Sequence, residues 1–227
     1  MTPTILLFDI DGTLIDTGGA GRRALERAFA AAYGRADACA GFSFGGMTDR
    51  AILREGLGAL GVPAEASAME ALIAAYLPIL EEEMAAARCR LHAGVLGALD
   101  AACLRAGCAV GLGTGNVREG ARIKLDRVGI FDRFSFGGFG CDHEDRAELL
   151  RVGATRGAAT LDRPLAACRV VVIGDTPKDI AAAQAIGAVA VGVATGSFSV
   201  ADLAARGARV AVRDLTDPAA LAAMFEG

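Results

Sequence analysis

The sequence lacks any apolar run near the roughly 18 residues that a membrane span needs. Its longest, around Val170–Ile173, is the size of a strand. The first residues carry no basic stretch followed by a long apolar core, so no secretory signal is expected. No basic stripe and no run of like charge occurs: 23 basic and 27 acidic residues are scattered, for a net charge of −4. Neither a nucleic acid nor a membrane is expected as a partner. The six cysteines, at 39, 89, 103, 108, 141 and 168, form no CxxC pair. In their apolar contexts they are expected to act as small buried hydrophobes, which fits a reducing cytoplasm. Asp142-His143-Glu144-Asp145 lacks the spaced partners of a metal centre and reads as a polar loop with helix-capping acids. The other histidine, His92, is expected to be structural. There is no internal repeat.

What is present is a series of short apolar runs, each ending at glycine or aspartate. They are Thr4–Phe8, Ala109–Leu112, Arg169–Ile173, Val189–Val193 and Arg209–Val212, with a further strand near Phe134–Gly137. Runs of four to six residues without alternation are how strands buried on both faces of a parallel sheet read. Alanine-rich helical segments separate them: Val95–Ala106, Ala121–Val128, Arg146–Arg156, Asp179–Ile186 and Val200–Arg206. The alternation predicts an α/β fold, a doubly wound, Rossmann-like parallel sheet.

One interval breaks the rhythm. The stretch between the first strand and Ala109 is far longer than one crossover helix requires. It reads as three helices, Arg22–Tyr33, Asp49–Leu60 and Ala66–Ala87, separated by glycine-rich breaks. The expectation is an inserted all-α cap domain over residues 17–88, with residues 1–16 and 89–227 forming the α/β core. Pro78 should kink or split the third helix.

The chemistry gathers where strands stop. Ligands of open parallel sheets bind beyond the carboxyl ends of the strands. Asp9 and Asp11 follow the first strand, and side chains at i and i+2 of an extended segment face the same way. Two such carboxylates imply a cation, a shared proton, or both. Asp9 suits a nucleophile, and Asp11 a general acid and base. Gly12 permits a sharp turn, and Thr13 can offer a hydroxyl to an anion. Thr114, Gly115 and Asn116 follow a second strand and suit phosphate oxygens. Gly174-Asp175-Thr176-Pro177-Lys178-Asp179 follows a third, where Asp175 can join Asp9 at a metal and Asp179 can cap a helix or support the site.

Asp9-Ile10-Asp11-Gly12-Thr13, then Thr114, then Gly174-Asp175 through Asp179, resemble in order the first, second and fourth motifs of the haloacid dehalogenase-like hydrolase superfamily. The insertion after the first motif resembles that family's helical cap, and the chain looks most like the phosphoglycolate phosphatase-like branch. The resemblance implies an aspartyl-phosphate on Asp9 and acid–base work by Asp11. It implies Mg²⁺ held by Asp9, Asp175 and the Asp11 carbonyl, and phosphoryl binding by Thr114 and the Gly115 N–H. The third motif departs from the family, since no Lys-Pro occurs. Arg146, which opens a helix after the strand near Phe134–Gly137, is favoured for that cation over Lys124. From the cap, Arg22 or Arg23, with Thr48, Asp49 and Arg50, are candidate substrate contacts; an arginine there could bind a carboxylate or second phosphate. The expected activity is hydrolysis of a small phosphorylated metabolite such as 2-phosphoglycolate by a cytoplasmic monomer or homodimer. A phosphosugar mutase and a catalytically silent binding protein are the alternatives.

Overall fold

The computed structural model describes residues 2–226. Six strands, β1 (Thr4–Phe8), β4 (Cys108–Gly113), β5 (Phe136–Gly138), β6 (Arg169–Gly174), β7 (Val189–Val193) and β8 (Val210–Val212), form one parallel sheet in the order β5-β4-β1-β6-β7-β8. All five residues of β1 are buried, as a central strand covered on both faces requires. Register fixes the site. Phe8 lies beside Leu112 on one side and Ile173 on the other, so the residues that follow these three strands emerge along one edge.

Both faces are covered. Leu6, Phe8, Leu112 and Ile173 pack with α4 (Val95–Cys103), α5 (Arg118–Asp126) and α9 (Pro218–Phe225). Ile5, Leu7 and Val172 pack with α6 (Arg146–Thr160), α7 (Pro177–Ala185) and α8 (Val200–Ala205). The doubly wound α/β architecture is therefore present, with α9 as an element absent from the sequence expectation. Asp217 caps that helix and Pro218 opens it, a start signal on a short segment.

Between β2 (Ile15–Asp16) and β3 (Arg90–Leu91) the chain runs through α1 (Ala20–Tyr33), α2 (Asp49–Ala59) and α3 (Ala66–Ala86). β2 and β3 pair antiparallel, Ile15 with Leu91 and Asp16 with Arg90, so the two ends of the helical insertion are tied together. Its own apolar cluster includes Leu25, Phe29, Leu53, Leu72 and Tyr76, and takes in Val117 and Ile123 from the α5 region.

Two expectations need correction. Pro78 does not split its helix: α3 is continuous from Ala66 to Ala86. Pro78 and Ala74, whose carbonyl loses the i→i−4 partner, both lie on the exposed face, where water can bond that oxygen. The opposite face, with Met69, Leu72, Tyr76, Leu80 and Met84, stays packed. The cysteines are not uniformly buried either. Cys39 is buried, Cys89, Cys108 and Cys168 are half-buried, and Cys103 and Cys141 are exposed; all six are free thiols. Cys103 ends α4 and Cys141 sits in the loop after β5, positions where apolar sequence neighbours do not imply a packed environment. Among the described residues no helix is long and apolar enough to cross a membrane.

Candidate active site

The loop after β1 places the acids. The Asp9 N–H donates to the Ile173 carbonyl at 2.9 Å, which continues the pairing of β1 with β6 beyond its last residue. Gly12 then turns with φ +80°, and a Cβ there would stand 2.4 Å from Asp175 Oδ2. Only glycine fits so tight a left-handed turn. The Thr13 hydroxyl donates to Asp175 Oδ1 at 3.1 Å, joining the first and fourth motifs.

Carboxylate oxygens of Asp9, Asp175 and Asp179, all buried, lie within 4.8 Å of one another. Burial first, then Arg146 opposing and Asp179 and Asp11 assisting, leaves Asp9 raised to about 6. Burial together with Asp179 and Asp9 pushes Asp175 up to about 8. Three clustered oxygens with this excess of negative charge suit a hard divalent cation such as Mg²⁺. Asp179 also works locally. Its Oδ2 accepts from the Thr176 N–H and hydroxyl and completes a capping box at the start of α7.

Arg146 is the cation facing this cluster. Asp145 caps α6 by accepting from Ala147 and Glu148, so Arg146 projects from the first turn. Its Nη2 stands 3.0 Å from Asp9 Oδ1 and 2.6 Å from Asp179 Oδ1. Nη2 is thus held between the two carboxylates, while Nε is a buried donor without a partner. Burial alone would lower the Arg146 pKa, but Asp179 and Asp9 outweigh it and raise it. An unmet donor beside Asp9 suits a phosphate oxygen.

Lys124, the other third-motif candidate, also reaches the site by a different route. It is buried on α5, and its Nζ donates to Asp11 Oδ2 and Asn116 Oδ1, each at 2.6 Å. Burial works against its charge, but Asp11 and Asp49 prevail and raise its pKa. Asn116 Nδ2 donates to Asp11 Oδ2 at 2.9 Å and to Thr114 Oγ1 at 2.8 Å. The Asp11 side chain is therefore turned towards Lys124 and Asn116 and stands outside the Asp9–Asp175–Asp179 group. Thr114 is fully buried and its hydroxyl accepts from Asn116; Gly115 and Asn116 line the adjoining cavity and Thr114 does not.

That cavity, of about 380 Å³, lies between the strand ends and the helical insertion. Asp9, Asp11, Lys124, Arg146 and Asp175 line it from the sheet side, and Arg22, Phe44, Met47, Asp49, Ile52 and Tyr76 from the insertion. The insertion meets the core closely. The Asp49 N–H donates to the Gly115 carbonyl at 2.8 Å, and Asp49 Oδ2 accepts from the Val117 N–H at 2.8 Å. A Cβ on Gly115 would stand 2.3 Å from the Met47 carbonyl oxygen.

Of the insertion residues expected to touch substrate, Arg22 alone of the arginines lines the cavity. Arg23 pairs with Glu83 at 2.7 Å and donates to the Gly18 carbonyl near the stem. Arg50 pairs with Glu70. Thr48 is buried, caps α2 and donates to the Glu144 carbonyl at 3.0 Å. These three are held by structural partners and do not line the cavity, because each meets a neighbour on the insertion or at its contact with the core. His92 lies at the stem, where its N–H donates to the Leu14 carbonyl at 2.9 Å. Tyr76 escaped the sequence reading. It is one of two tyrosines and sits on the packed face of α3. Lys124 stands on the stripe that holds Ala121 and Val117, and a lysine in such a stripe is the available signal.

The family model for haloacid dehalogenase-like hydrolases matches residues 3–187. None of the curated proteins matches the chain. Among solved structures, a hydrolase from Pseudomonas syringae is 20% identical with a TM-score of 0.70, covering 94% of this chain and 95% of its own. CbbY from Rhodobacter sphaeroides, in complex with phosphate, is 18% identical with a TM-score of 0.71, covering 99% of both chains. A candidate phosphoglycolate phosphatase from Lactobacillus plantarum is 19% identical with a TM-score of 0.64, covering 97% of this chain and 100% of its own.

Proposed function

We propose, from the premise that the chain belongs to the haloacid dehalogenase-like hydrolase family, that it is a Mg²⁺-dependent phosphatase acting on a small phosphomonoester. The observation that carries the proposal is the buried grouping of Asp9 with Asp175 and Asp179, with Arg146 paired to it. A Mg²⁺ ion held by Asp9, Asp175 and the Asp11 carbonyl, with Asp179 beside it, would offset the carboxylates and polarise the phosphoryl group. Arg146 favours the ionised, nucleophilic form of Asp9, and its unpartnered Nε is available to a phosphoryl oxygen.

Asp9 attacks phosphorus; the bond to the leaving oxygen breaks, and that oxygen takes a proton from Asp11. Water then attacks the aspartyl-phosphate, gives its proton to Asp11, and releases inorganic phosphate and free Asp9. Asn116 and Lys124 hold Asp11 Oδ2, which fixes the direction of its other oxygen. Residues 17–88 act as the cap that covers the cavity and keeps bulk water from the intermediate. The Gly115 N–H and Asn116 bind the phosphoryl group, and Thr114 positions Asn116.

Phosphate release from p-nitrophenyl phosphate and 2-phosphoglycolate, with Mg²⁺ and with EDTA, tests the reading. Asp9→Asn should lower the Mg²⁺-dependent rate by about 10³-fold or more, since a nucleophile is lost. A folded Asp9→Asn protein retaining about a tenth of the rate would sink the aspartyl-phosphate. Conversion of glucose 1-phosphate to the 6-phosphate without net release would favour the mutase.

A further inference from the structure

The leaving-group end of the cavity has a distinct chemical character. Its cations are already engaged. Lys124 Nζ donates to Asp11 and Asn116 and lies within the influence of Asp49. Arg22 stacks on the Phe44 ring at 3.8 Å, and donates to Glu26 Oε1 at 3.2 Å and to the carbonyls of Cys39 at 3.3 Å and Phe42 at 3.0 Å. Asp11 and Asp49 on this wall, with Glu26 paired to Arg22, are three acids against the two cations Lys124 and Arg22, so the local balance is negative before any ligand arrives.

The hydrogen-bonding capacity that remains asks for donors. The Asp49 carboxylate takes one hydrogen bond, from Val117 to Oδ2, although a carboxylate offers about four acceptor sites. The Tyr76 hydroxyl is buried, has no partner, and belongs to a residue lining the cavity. Leu25, Phe44, Met47 and Ile52 supply the apolar remainder.

We infer that the substrate's leaving group is a neutral, hydroxyl-bearing alcohol of polyol or sugar type, whose hydroxyls donate to Asp49 and pair with Tyr76. The inference rests on the phosphatase reading and narrows it. A carboxylate in the same place would meet Asp11 and Asp49 with no free cation, and it could not donate to either. A cavity of about 380 Å³ also sits near the small end of ligand sites.

The test is a set of matched pairs that differ only in CH₂OH against COO⁻: 2-hydroxyethyl phosphate with 2-phosphoglycolate, and glycerol 3-phosphate with 3-phosphoglycerate. The alcohol of each pair should have the higher kcat/KM, by about tenfold or more, because like-charge juxtaposition and unpaired buried polar groups both discriminate against the acid. Asp49→Asn and Tyr76→Phe should each narrow that ratio by about threefold or more, Asp49→Asn by improving the acid and Tyr76→Phe by weakening the alcohol. Tyr76→Phe keeps the packed ring, so the pairing stays testable if Asp49→Asn does not fold. Equal or better turnover of the acids by the wild type overturns the inference and leaves the phosphatase standing. Absence of Mg²⁺-dependent release from every ester, p-nitrophenyl phosphate included, overturns both.

Discussion

At the scale of single residues, the strand-end acids and the cation Arg146 were readable, and the pairing of Lys124 with Asp11 was not. Asp9, Asp11 and Asp175 stand out because each follows an apolar strand, where a bare carboxylate has no packing purpose. Lys124 and Arg146 looked like rivals for one role, since the family's third motif has a single cation. In the structure they divide the work: Arg146 faces Asp9 and Asp179, and Lys124 faces Asp11. Asp49 shows what such burial costs. Its ordinary value is 3.8, and burial, opposed by Lys124 and the Val117 N–H, raises it to about 6. A carboxyl whose folded pKa is raised adds stability below the unfolded value and loses it as pH climbs through the folded one. For Asp49 that window runs from 3.8 to about 6, and the swing is of order 3 kcal/mol. Asn mimics the protonated form, so Asp49→Asn should gain on the wild type at pH 7.5 and lose about two thirds of that gain by pH 4.5. Urea denaturation in EDTA at both values measures it. A wild-type-to-variant difference that does not move with pH would mean that Asp49 is not carrying a buried charge.

At the scale of elements, the parallel strands were legible because burial on both faces leaves unbroken apolar runs. The ends were harder: α6 continues to Thr160, and β2 and β3 are too short to leave a pattern. Pro78 does not split its helix, because α3 is held by one packed face while Pro78 and the carbonyl it leaves free lie on the exposed one. That leaves a cost in place. Proline within a helix is disfavoured against alanine by about 3 kcal/mol, and its stiffening of the unfolded chain offsets about 1 of these. Pro78→Ala should therefore stabilise the protein by about 2 kcal/mol without altering substrate preference, since residue 78 is exposed and away from the cavity. Denaturant midpoints at constant slope would record the gain. A loss of stability would show that α3 depends on the shape proline gives it.

At the scale of the whole molecule, the length of the interrupting segment pointed to the helices between β2 and β3, but not to how they meet the strand ends. That contact depends on two glycines, Gly115, read as a phosphate contact, against the Met47 carbonyl, and Gly46, from a glycine-rich break, against Thr176 and Lys178. The cavity exists because these backbones approach, and the acids beneath it repel one another, with burial and that repulsion pushing Asp175 up to about 8. Under the proposed function, the cluster weakens the metal-free protein and prepares it for a cation. Asp175→Asn removes one repelling charge and one candidate ligand, so it should move stability in opposite directions with and without metal. In EDTA the variant should melt at or above the wild type. With Mg²⁺ at about a hundred times its dissociation constant, the wild type should gain about 2.7 kcal/mol, and the variant should gain far less. Thermal melts at matched pH with Mg²⁺ titrated against EDTA measure both arms. Equal gains in the two proteins would remove Asp175 from the metal site, and with it the reason for burying three carboxylates under one cap.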